Sequence, residues 1–433
     1  MSIDSRSLRL ALFASAAALA ASGCGGGGSS AASNPSPPPA TGNVAAMSVD
    51  GGPGLNGAIN QAYVTITVCE PGTNTCQNID HVWVDTGSTG LRLFSSVLTL
   101  TLPDVQLNSN TVGNCIQFVS ATYAWGAVRT ADVKIAGEAA SSVPIQVIAD
   151  SAVPSAPATC STGSTGTMDT ALNMPTDMGA KGLLGIGLFQ QDCGPGCQSN
   201  PMGVPSGFYY TCPAGGACAP TFIPIASQVQ NVVGMFSSTD NNGTLIQLQA
   251  LPGGSLTTAA GNLIFGINTR SNNMLGSAVV FAADPGLTMN SRPGDIQTTT
   301  TYGDMTEPAS YIDSGSNAWF FNDPNIVNAS GCPTGLYCPA SPLSLQATML
   351  PYNTPVNTTS FTYSFSVVDI SNAPDAAFDN VGGPAGTCST LGCTFDWGLP
   401  FFYGRNVFTA IENKSVPGTS PTLVGPFFAA STP

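Results

Sequence analysis

The feature that most constrains this chain is a segment that occurs twice. The first copy is Val82-Trp83-Val84-Asp85-Thr86-Gly87-Ser88 and the second Ser310-Tyr311-Ile312-Asp313-Ser314-Gly315-Ser316. In each, an apolar run that reads as a buried strand ends on an aspartate, and a hydroxyl residue, a glycine and a serine follow at once. A carboxylate at the inner end of a buried strand is costly unless hydrogen bonds or a shared proton compensate it. One copy alone reads as turn chemistry, because Asp, Gly and Ser are all turn formers. Two copies point instead to a pair of segments facing each other across a pseudo-two-fold axis, with Asp85 and Asp313 brought together.

Asp-Thr-Gly-Ser and Asp-Ser-Gly-Ser, each after an apolar strand, resemble the two catalytic loops of the pepsin-like aspartic proteases. The resemblance implies a mostly β, bilobal fold with pseudo-two-fold symmetric lobes. It implies Asp85 and Asp313 as catalytic groups, Thr86 and Ser314 tying the loops together, Gly87 and Gly315 presenting backbone N–H groups, and Ser88 and Ser316 bonding the outer carboxylate oxygens. It also resembles an uncharacterised family of exported bacterial lipoproteins with a pepsin-like signature. Further stretches extend the likeness. Gly182 to Leu188 is similar to the strand that threads beneath the first aspartate loop, and Asp396 to Phe402 to its second-lobe counterpart, with Gly182 matched to Gly398. Gly261–Asn268 followed by Gly276–Phe281 resembles the hairpin that opens the second lobe. Gln117 to Gly137 falls where the family carries its mobile flap, with Tyr123 as the flap tyrosine and Phe118 or Trp125 as the alternatives. Two positions depart from the pattern: Arg92 stands where a tryptophan is usual, and Leu399 where an acid is.

Length allows two lobes with separate cores in 433 residues. Many short apolar runs are broken by 49 glycines and 34 prolines, so the body is expected to be mostly β. The expected domains are a leader at 1–23, a linker at 24–46, a first lobe at 47–235 and a second at 236–433. The segment from Cys193 to Pro224, rich in Cys, Gly and Pro, reads as an insertion. A formal charge of −14 argues against nucleic acid as a partner.

Arg6 and Arg9, the apolar stretch from Leu8 to Ala21, and Ala21-Ser22-Gly23-Cys24 form a leader that resembles a lipoprotein signal, with Cys24 as the lipidated residue. Ordinary secretion is the alternative. Gly25 to Pro39 carries no charge and suits a flexible tether. These readings place the protein outside the cytoplasm, lipid-anchored at the cell envelope, in the outer membrane, or else periplasmic or secreted. Of the 13 cysteines, setting Cys24 aside leaves an even set for an oxidising compartment. Neighbours pair most simply as Cys69 with Cys76, Cys193 with Cys197, Cys212 with Cys218, Cys332 with Cys338 and Cys388 with Cys393, leaving Cys115 with Cys160. Nested bonds of Cys193 with Cys218 and Cys197 with Cys212, or a zinc site of those four thiolates, stay open.

His81 is the one histidine, so metal sites built on several histidines are excluded. It reads as an outward-facing or strand-entry residue. The functional expectation is an aspartic-type endopeptidase, monomeric, using no metal and no cofactor, and acting on an extended peptide or protein. The alternative is a catalytically silent bilobal lipoprotein that binds a peptide or glycan between its lobes.

Overall fold

The computed structural model describes residues 42–431, apart from 55–56, 164–165, 200–202, 287–292, 301–305, 329, 353–359, 372, 387 and 389–392. The leader, Cys24 and most of the expected linker lie outside these residues. Ordered structure starts earlier than the expected boundary: Val44–Val49 is a strand, so the linker reading ran three residues too far. Its alternation buries Ala45, Met47 and Val49 and turns the intervening residues outward, which is the period of a half-buried strand.

That strand belongs to a base sheet drawn from both halves of the chain. Val44–Val49 pairs antiparallel with Ala259–Phe265, which pairs with Gly243–Leu248. Asn406–Ala410, Phe427–Ser431 and Val279–Ala282 follow in that order, all antiparallel. The two stretches expected to form one hairpin are therefore not partners. Ala259–Phe265 turns back on Gly243–Leu248, and Val279–Ala282 reaches the far edge of the sheet. Each has the alternation of a strand, but alternation does not say which neighbour a strand takes.

Above this base the same local arrangement is built twice. In the first half the hairpin of Ala62–Cys69 and Cys76–Asp85 runs down to Asp85. Gly182–Ile186 lies parallel to the aspartate strand and antiparallel to Thr89–Phe94. In the second half Thr306–Ile312 runs to Asp313, with Asp396–Trp397 parallel to it and antiparallel to Trp319–Phe320. The registers correct one match. Leu183 faces Trp83 and Gly185 faces Asp85, while Asp396 faces Tyr311 and Trp397 faces Ile312. Gly185, not Gly182, is thus the counterpart of Gly398.

The second half is packed by aromatic rings: Trp319 stacks on Phe365 at 4.8 Å, and Phe395 lies 4.6 Å from Trp397. These rings fix the strand that carries Asp313 in a close-packed core. Six disulfides form, in the nearest-neighbour pattern with Cys115–Cys160 as the long-range bond. Cys193, Cys197, Cys212 and Cys218 are consumed in two of them, which closes both the nested and the zinc readings. Such a set suits an extracellular or periplasmic compartment. Among the described residues no helix is long and apolar enough to cross a membrane.

Candidate active site

The two aspartate loops meet at the midpoint between the halves. A Cβ added to Gly87 would lie 2.5 Å from the Asp313 carboxyl carbon, and one added to Gly315 would lie 2.5 Å from Asp85 Oδ1. Each glycine therefore lies against the carboxyl of the opposite loop, and the two carboxyls face each other. Their hydrogen bonds match. Gly87 N–H donates to Asp85 Oδ1 at 2.7 Å and Gly315 N–H to Asp313 Oδ1 at 2.7 Å. The Ser88 hydroxyl donates to Asp85 Oδ2, and the Ser316 hydroxyl to Asp313 Oδ2 at 3.0 Å.

Beneath them, Thr86 N–H donates to Ser314 Oγ at 3.0 Å and Ser314 N–H to Thr86 Oγ1 at 2.9 Å. Each of the eight residues expected at the centre, Asp85 to Ser88 and Asp313 to Ser316, stands in one connected network. Asp313 has part of its surface open to the cavity, yet it is enclosed enough that burial pushes its carboxyl well above the usual carboxylate range. The charges of Asp85 and then Asp396 push the same way. Two carboxyls this close cannot both ionise cheaply, and burial favours the neutral form at Asp313.

A cavity of about 210 Å³ opens over the pair. Its apolar wall is formed by Trp83, Ile116, Phe118, Leu172, Met178 and Leu183. Ile116 and Phe118 come from the hairpin of Asn110–Phe118 and Thr122–Ile135, whose tip residues Val119 and Ser120 also line the cavity. Val119 packs on a second-half cluster that includes Ala318 and Phe320, so the hairpin spans the cleft like a flap. Tyr123 does not serve this flap. It sits opposite Gln117 in the ladder and packs toward Cys115, Cys160 and Tyr210, away from the cavity. Phe118 occupies the position over the site instead, and Trp125 is buried beside Tyr210.

The segment read as an insertion is woven into this flap. Tyr209–Cys212 adds to the flap hairpin as a further antiparallel strand, with Tyr209 opposite Asn114. Arg92, fully buried, donates to Asn114 Oδ1 at 2.6 Å and Gln146 Oε1 at 2.7 Å and pairs with Asp192 at 3.0 Å. Where the sequence pattern led one to expect a ring, this polar knot supports the flap. His81 lies inside the strand Cys76–Asp85 rather than at its entry, between Asp80 and Asp50, half-buried and not among the residues that line the cavity.

Two halves of mirrored strands over a shared base sheet, each delivering one aspartate to a central cleft, are the bilobal architecture of the pepsin-like aspartic proteinases. The chain is similar to the crystal structure of an aspartic proteinase from Irpex lacteus, with a TM-score of 0.52 and 14% identity over 90% of this chain and 96% of that one. At that identity the likeness concerns the fold. Residues 39–430 match the family described as Protein of unknown function (DUF3443), and the chain belongs to that family. No curated protein sequence matches it.

Proposed function

We propose that the protein is an aspartic-type endopeptidase that hydrolyses extended peptides in the cleft between its halves. The observation that carries this reading is the reciprocal packing of Gly87 on Asp313 and Gly315 on Asp85. It sets two carboxyls face to face, each held by one amide and one hydroxyl. A pure binding cleft gains nothing from two opposed acids that must share a proton.

In the mechanism Asp85 is the base and Asp313 the acid. A water bound between them gives a proton to Asp85 as its oxygen attacks the peptide carbonyl. Asp313 hydrogen-bonds the developing oxyanion, and a proton passes from the pair to the departing nitrogen. The neutral state favoured at Asp313 is the one this role requires. No cofactor enters these steps. The apolar wall over Asp85 suits a large apolar side chain of the substrate, and the flap closes over the peptide backbone.

The chain acts as an exported monomer held to the envelope through a lipid on Cys24, with the uncharged tether giving it reach. The test is cleavage of a peptide library by residues 42–433 between about pH 3 and 7, with pepstatin and Asp85→Asn as controls. Cleavage abolished by both is the expected result. Cleavage indifferent to both, or none on any peptide, overturns the reading.

A further inference from the structure

The two halves differ at one buried position beside the carboxyls. Leu183 and Asp396 occupy equivalent registers, each opposite the residue two before its aspartate. Their antiparallel partners are Arg92 in the first half and Phe320 in the second. The first half therefore puts an apolar side chain next to the site where the second puts an acid.

Asp396 is fully buried, and among the described residues neither carboxyl oxygen makes a hydrogen bond of ordinary geometry. The Ser316 hydroxyl lies beside it but gives its proton to Asp313. The other neighbours in register are Tyr311 and Phe320, and among the described residues no cation acts on it. Asp85 and Asp313 are the charges it feels or affects. An unpaired carboxylate in such a place is costly, whereas a neutral carboxyl is a donor in search of an acceptor. Ser316 Oγ has free lone pairs and is the acceptor at hand.

We propose that Asp396 is a positioning residue that works as the neutral acid: its proton goes to Ser316 Oγ, the Ser316 proton stays on Asp313, and ionisation of Asp396 turns the site off as pH rises. The proton count explains the switch. Ser316 has one proton, and an ionised Asp396 would compete for it, freeing Asp313 Oδ2 from its donor. The same ionisation sets a third negative charge near the oxyanion that develops at the pair in the reaction. Burial first, and then the charge of Asp85, hold Asp396 well above the usual carboxylate range, against the opposing influence of the Ser316 hydroxyl. The neutral form is thus the working form across acid pH.

The proposal rests on the endopeptidase reading and is tested so that the two can fail separately. Asp396→Asn keeps a donor toward Ser316 but cannot ionise. It is expected to lose severalfold in kcat at acid pH and to carry the alkaline limb of kcat/KM upward by about one pH unit. Asp396→Leu, which copies the first half, moves the limb likewise but loses more in kcat because Ser316 is left without its donor. An alkaline limb that coincides with the native one, or a change in which peptide bond is cut with the limb unmoved, overturns the proposal. If the native chain cleaves nothing, carbon NMR of labelled aspartate carboxyls decides it. Loss of one high-titrating carboxyl in Asp396→Asn together with a downward move of another upholds the coupling and leaves only the endopeptidase reading to fall. Loss of one with the rest unmoved overturns both.

Discussion

Thr86 and Ser314 are each other's image across the interlobe axis. The amide of each donates to the hydroxyl of the other, and each hydroxyl donates to the carbonyl just before the opposite aspartate, Thr86 to Ile312 at 3.0 Å and Ser314 to Val84 at 2.9 Å. Both side chains are buried, so four backbone groups depend on two hydroxyls. This exchange, more than any contact between the acids, sets how far apart Asp85 and Asp313 lie.

Removing one hydroxyl orphans a buried amide and a buried carbonyl together. Thr86→Ala or Ser314→Ala is expected to cost about 1–3 kcal/mol in urea unfolding, with a larger proportional fall in kcat because the carboxyls lose their spacing. Ser314→Thr restores the group that the first loop already uses and is expected to keep most of both. Equal losses in the Thr and Ala variants would count against the hydroxyl as the cause.

A methyl group between the acids is the sharpest geometric test. Gly87→Ala places a carbon 2.5 Å from the Asp313 carboxyl carbon, and Gly315→Ala places one at the same distance from Asp85 Oδ1. Neither can be accommodated without driving the carboxyls apart. Displacement of about 1 Å at a reacting centre costs on the order of 10²-fold. A fall in kcat of that size with a native-like circular dichroism spectrum is expected; near-native turnover would show that the carboxyls do not act as a pair.

These two loops were legible because the sequence states them twice, and the second copy turned an ordinary turn motif into a constraint. What the sequence left open depended on phase and partnership. Gly182, Gly185 and Gly187 alternate through one apolar run, and only the pairing of Gly185 with Asp85 picks out the one beneath the carboxyl. Tyr123 missed the cavity for a similar reason. The three-residue tip sets Gln117 opposite Tyr123, so the side that carries Phe118 over the site turns Tyr123 away from it. Asp396 was in plain view between Phe395 and Trp397, but nothing in a short apolar stretch tells whether an acid within it points to solvent or to the core.

Stability should fall as pH rises, which is unusual for a protein with so many acids. Glu307 is fully buried, among the described residues neither of its carboxylate oxygens has a partner, and burial pushes its value from 4.5 up to about 8. Folding thus favours its neutral form. Its contribution is complete below the unfolded value and is lost as pH climbs through about 8. Asp313 and Asp396, both pushed upward by burial first, add the same trend. Asp80 runs the other way: burial raises it, but Lys181 and His81 outweigh that and bring it to about 2, so its contribution fades only in strong acid. Urea midpoints are expected to decline from about pH 5 to 8, and Glu307→Gln to flatten the decline. A Gln variant with the native slope would remove Glu307 as the cause.

Arg92 offers the last test, because it carries the flap without touching the cleft. Its guanidinium joins Asn114 of the flap hairpin, Gln146 of the adjacent strand and Asp192, and the Tyr209 hydroxyl also donates to Asp192. Burial raises Asp192, and the Arg92 charge is the strongest influence pulling it back, so the acid is tolerated only while the cation is present. Arg92→Met is therefore expected to cost about 3–5 kcal/mol, since it leaves Asp192 buried and unpaired. Adding Asp192→Asn to that variant removes the stranded charge and should recover a large part of the stability. It should not restore the brace between Arg92 and Asn114, so the flap stays loosened: KM for peptide remains raised, and the amides of Asn110–Phe118 exchange faster than in the native chain. Recovery of stability and KM together in the double variant would show that the charge pair, and not the tie to Asn114, is what holds the flap in place.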